Sequence, residues 1–203
     1  MGFPVKTQDI SLLAWVAVPT ATAVMSSVLD LIAAPAKFAA TIFVYLGRQS
    51  GSAFTTGWPN IRISASPKSA GNDAWVPLDI YRPFEGLNIV NTTLNGAIIA
   101  GATSCIVTSA TGIAAGDLLF LGDASSANWE IVRVLSVSGT TINFEEACTY
   151  AHGNGAQVTD QADIYQFNVD AMAYGRLRVV ADNASGGQTF AVRVLAITGN
   201  SVT

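Results

Sequence analysis

Hydrophobic and polar positions alternate along most of the chain, and helical spacing is scarce. The segment 40–46 (Ala-Thr-Ile-Phe-Val-Tyr-Leu) is rich in β-branched and aromatic residues and stops at Gly47. Segment 60–66 alternates apolar and polar residues up to Pro67, and segment 176–180 alternates in the same way. Segment 190–197 follows a turn-like run at 182–187, so the pair reads as a β-hairpin with Arg176 and Arg178 on one face of its first strand and Arg193 on its second. The region 14–40 is alanine-rich, but its valines and threonines favour strands and Pro19 and Pro35 interrupt any helix; two or three strands are expected there.

A second rhythm of short strands runs through the middle: 104–107, 117–121, 128–137 and 140–144, separated by turns at Gly112–Gly116 and Ser138-Gly139. Charge changes at the same place. Residues 88–160 carry one basic residue, Arg133, against six acidic ones, a net of −5, whereas the whole chain of 203 residues carries −4. The predicted architecture is therefore all-β: a jelly-roll-like β-sandwich made of residues 1–87 and 161–203, split by an inserted small acidic β-barrel or β-sandwich domain at 88–160.

Composition narrows the function classes. Half of the residues are hydrophobic and only 12% are charged, enough for a large core and apolar surface left over for contacts between subunits. Nucleic acid is not an expected partner, because replacing phosphate counterions needs a basic face. No membrane span is expected either: the apolar runs at 12–18 and 31–46 are broken by proline or lysine short of about 20 residues. The N-terminal segment imitates a signal peptide only weakly, since Asp9, Trp15 and Pro19 interrupt it.

Candidate chemistry is sparse. His152 is the only histidine, and no nucleophile or orienting acid stands beside it in sequence, so a structural turn role is expected. Asp117, Asp123, Glu130, Glu145 and Glu146 lack the spacing of a calcium loop; Asp117 fits a turn cap, and Glu130 is expected on a solvent-facing strand position. Cys105 and Cys148 are expected as buried thiols. Trp15, Trp58, Trp75 and Trp129 are expected in core or rim positions, with Trp75 packing in the outer sandwich. No catalytic residue, metal ligand or cofactor is predicted, and an enzyme is the weakest reading. Arg176, Arg178 and Arg193 are the candidate interface residues, as a stripe able to grip an acidic neighbour.

The middle stretch also resembles a small β module of tailed-bacteriophage virion proteins. The pattern consists of G-x-x-x-G-D at Gly112–Asp117, E-x-x-x-V at Glu130–Val134, G-x-T-[LI] at Gly139–Ile142, and Ala151-His152 with Gly155 before the strand at Val158. The flanking segments look like sandwich strands of phage capsid-decoration and tail-associated proteins. The resemblance implies a capsid decoration or cement protein, made in the bacterial host cytoplasm and carried on the capsid surface. Its partners would be the major capsid protein and copies of itself, as a homodimer or homotrimer. A head–tail connector, a tail or baseplate accessory protein, and an exposed glycan-binding or host-adhesion module are the alternatives.

Overall fold

The computed structural model describes residues 5–19, 21–32, 37–48, 59–68, 70–71, 74–83, 90–123, 125–170, 174–183 and 188–200. Trp58 and the turn residues 184–187 lie outside them. The described chain is all-β, with fifteen strands and one 3-10 turn, Ser126–Asn128.

The strands outside the middle stretch are β1 (Val5–Val18), β2 (Thr22–Met25), β3 (Leu29–Asp30), β4 (Lys37–Arg48), β5 (Asn60–Ser66), β6 (Val76–Tyr81), β13 (Ala162–Asp170), β14 (Arg176–Asn183) and β15 (Phe190–Asn200). They build two antiparallel sheets, ordered β1-β15-β4-β13 and β2-β14-β5-β6; β3 continues the β2 edge along β14. This is the strand order of a jelly roll, in which the last two strands thread between earlier ones in opposite sheets. Alternation along each strand sends one face inward. Ile42, Val44, Leu46, Val192 and Val194 of the first sheet meet Ile61, Ile63, Leu177, Val179 and Ala181 of the second in one core.

The expected hairpin of 176–180 with 190–197 does not form. β14 pairs with β2, β3 and β5, whereas β15 pairs with β1 and β4. Both are central strands that need a neighbour on each side. They therefore lie in different sheets, and six residues separate the end of one from the start of the other, more than a two-residue hairpin turn. Local alternation identifies a half-buried strand but says nothing about its partner.

The middle strands are β7 (Asn91–Thr93), β8 (Ser104–Ile106), β9 (Leu118–Gly122), β10 (Glu130–Ser138), β11 (Thr141–Phe144) and β12 (Gln157–Thr159). Among the described residues they pair only with one another, in the order β7-β12-β9-β10-β11-β8. A Leu94–Val107 bridge, with Asn95 N donating to Ile106 O (2.8 Å) and Thr108 N to Thr93 O (2.9 Å), brings the two outer strands together and curls the sheet toward a small barrel. Leu119, Leu121, Val134, Ile142 and Val158 fill it. Chain departure and return are tied together: Val90 N donates to the Asp160 carboxylate (2.8 Å), and Asp160 N to Val90 O (3.2 Å). The barrel thus hangs from the jelly roll between its sixth and seventh strands.

Candidate functional site

The barrel sits against the outer face of the first sheet, and aromatic residues fill the seam. β1 supplies Trp15, β9 supplies Phe120, and Trp129 precedes β10; their rings meet edge to face at centroid separations of 5.5–6.4 Å. Phe120 lies directly on Gly47 of β4, where a Cβ would fall 2.1 Å from the ring. The glycine that ends the 40–46 pattern is therefore the floor on which the barrel rests. Beside it Arg48 is fully buried and donates to the Gln161 side chain, and Arg48 O accepts from Thr159 Oγ1 (3.2 Å). Burial lowers the Arg48 pKa to about 10 despite the nearby Asp160 charge.

Where the seam opens, it leaves two adjoining hollows of about 270 Å³ each that share Trp15, Tyr150 and Arg193. Ser11, Ala14, Ser126 and Ala127 complete one; Tyr45, Glu130, Ile131 and Thr149 complete the other. The Arg193 guanidinium lies 5.8 Å from the Tyr45 ring centroid. Trp15 is nine-tenths buried, with its indole N–H enclosed and without an acceptor.

Behind the cleft, Glu130 is buried, against the expectation of a solvent-facing position. Its oxygens accept from Thr149 N (2.8 Å) and Tyr150 N (3.2 Å), and one of them lies 2.8 Å from His152 Nε2. Burial alone would raise this carboxyl's pKa. The hydrogen bonds and charge of His152, with the two backbone donors, outweigh burial and hold it below the ordinary carboxylate value. Asp123 stands on the other side of the imidazole, 3.9 Å from Nδ1, and accepts from Gly153 N (3.0 Å). No acid partner stands beside His152 in the sequence. The fold gives it two, from positions 22 and 29 residues earlier, and only the register of β10 against the 148–153 loop brings them together. His152 is 1% exposed, so the trio ties that loop to the barrel and offers the imidazole to no external molecule.

The other acidic candidates are dispersed. Asp117 accepts from Ala114 N (2.7 Å) as a turn cap, and Glu145 lies 3.7 Å from Arg133. Among the described residues no group of three or more metal-type side chains forms a cage. Cys105 and Cys148 are buried and unbonded, and burial pushes their thiols up to about 11 and about 12.

The three arginines do not form one stripe, because the hairpin that would align them is absent. Arg176 is buried on the outer face of the second sheet, donating to Lys68 O (2.8 Å) and Gly71 O (2.7 Å). Arg178 lies beside it, with its guanidinium 4.2 Å from the Trp75 ring centroid. Arg193 belongs to the first sheet, on the opposite side of the sandwich, in the cleft. One of the three is thus spent on internal carbonyls, one lies half-covered by Trp75, and one faces the barrel.

No known protein family matches the chain, and no curated protein matches it. Among solved structures, one match is VP17, a capsid protein of bacteriophage P23-77. It is 8% identical and the match spans 98% of this chain and 99% of that one, with a TM-score of 0.18. No helix among the described residues is long and apolar enough to cross a membrane.

Proposed function

We propose that this chain is a structural protein of a tailed-phage virion, bound to the capsid surface as a decoration or cement protein. The observation that carries the reading is the outer face of the second sheet. There the cross-strand row Ile80, Arg62, Val180, Met25 ends in exposed apolar side chains, Ile80 at 53% and Met25 at 55%. Val28 and Ile32 extend the apolar edge past Met25. Apolar side chains grouped on a sheet face and its edge suit a surface that is covered in an assembly. The resemblance of residues 112–158 to a phage virion module points the same way, as does the use of jelly rolls in viral capsids, which is fold-level analogy.

On this reading the jelly roll holds the shell or a second copy of the chain. Arg62 stands within the row and Arg178 beside it, Arg176 shapes the surface from beneath, and the acidic barrel points away. Separating heads from tails of the producing phage and quantifying the chain in each tests the assignment. Many copies per head are expected. Its absence from purified particles, or its confinement to tails, overturns it. Sedimentation tests self-association: a dimer or trimer is expected for the native chain, and Met25→Glu with Ile80→Glu should shift it to monomer. A native chain that stays monomeric at high concentration and fails to bind undecorated capsids contradicts both forms of contact.

A further inference from the structure

We infer that the cleft between jelly roll and barrel binds a carboxylate-bearing sugar, with Arg193 as the partner of the carboxylate. Arg193 is half-buried, and among the described residues its guanidinium makes no hydrogen bond or ion pair, only the contact with the Tyr45 ring. A guanidinium presents five donors in a planar fork that matches a carboxylate in two parallel bonds. Partial burial makes such a pair worth more than an exposed one, because water screens it less.

Glu130 lines the same cleft, but its oxygens are turned to Thr149 N, Tyr150 N and His152 and do not neutralise Arg193. The walls supply what a sugar ring requires beside its charge. Tyr45 and Tyr150 offer apolar ring surface for the C–H face, and the Ser126 hydroxyl stands at the margin without a described bond. Each hollow, at about 270 Å³, is slightly below the usual range of small-molecule sites, which begins at about 300 Å³. That volume suits one ring rather than an extended chain. The site is built from both parts of the molecule: Trp15, Tyr45 and Arg193 come from the jelly roll, and Ser126, Glu130 and Tyr150 from the barrel.

D-glucuronate is the probe, with D-glucose and acetate as controls, titrated into the full isotope-labelled chain and followed by nuclear magnetic resonance. Saturable shifts of Tyr150, Arg193 and the Trp15 indole N–H are expected with glucuronate, at affinity at least tenfold above that for glucose, weakening as salt rises. Arg193→Gln should lower glucuronate affinity at least tenfold, the loss expected for a charge-assisted hydrogen bond. Arg193→Lys, which keeps the charge but loses the fork, should fall between. Equal binding of glucose removes the carboxylate from the argument, and equal binding of acetate removes the sugar. Unchanged affinity in both arginine variants overturns the site. None of these outcomes depends on where the chain sits in a particle.

Discussion

Glu130 shows what a pattern of alternation permits at a charged residue. It shares the inward face of its strand with Val132 and Val134, and its carboxylate is tolerated there because three donors converge on it. Replacing His152 with alanine removes one donor and leaves a ring-sized void. The expected cost is about 2–3 kcal/mol in a denaturant titration, and a change under about 0.5 kcal/mol would show that the trio is not structural. The pH dependence follows from the Glu130 shift. Its folded pKa lies below the unfolded value of 4.5, so its stabilisation is complete above that value and disappears as pH falls through the folded one. Glu130→Gln should therefore be less stable than the native chain at neutral pH. The gap should narrow below about pH 5, which melting curves across pH can follow. Gly47→Ala tests the seam in the same way. Its Cβ would collide with Phe120, so the variant should lose stability, and combining it with Phe120→Leu should cost less than the two changes added.

At the scale of elements, the informative pair is β6 with β13. They lie at the same end of opposite sheets, and Tyr81 and Tyr165 stack between them with centroids 4.3 Å apart and planes within 5°. Tyr81 donates to Asp163 and Tyr165 to Asp79, so each strand supplies one hydroxyl and one carboxylate to the closure. Burial, reinforced by the bond to Asp79, pushes the Tyr165 hydroxyl up to about 12. Tyr81→Phe leaves the stack but orphans Asp163's bond. A loss of about 1 kcal/mol is expected, and the combination with Asp163→Asn should be non-additive. Additive losses would mean that the hydroxyl and the carboxylate do not act together. Since β13 follows the barrel in sequence and β6 precedes it, this closure also fixes the two ends of the interruption.

For the whole molecule, the pairing pattern suggests a jelly roll that needs its last three strands. β14 and β15 are central in their sheets, so residues 1–87 alone would expose both sheet centres. Limited proteolysis at the junctions near 88 and 160 should accordingly release a stable barrel fragment, while 1–87 stays associated with 161–203. A stable, isolated 1–87 fragment would contradict the division into a split sandwich and an inserted domain. The strand character of 40–46, 60–66, 104–107 and 140–144 was legible because burial of one face leaves a period of two. The turn cap at Asp117 was legible because its partner, Ala114, is three residues away.

The sequence by itself determined an all-β chain of sandwich type, because alternation and turn residues are local properties. Only the tertiary structure decided that β14 and β15 part into different sheets, that Glu130 and His152 meet, and that Arg193 faces the barrel while Arg176 and Arg178 lie on the far side. Each of those depends on which strands become neighbours. That choice is set by the collective burial of two sheets and by chain crossing between them, over separations that no short-range pattern records.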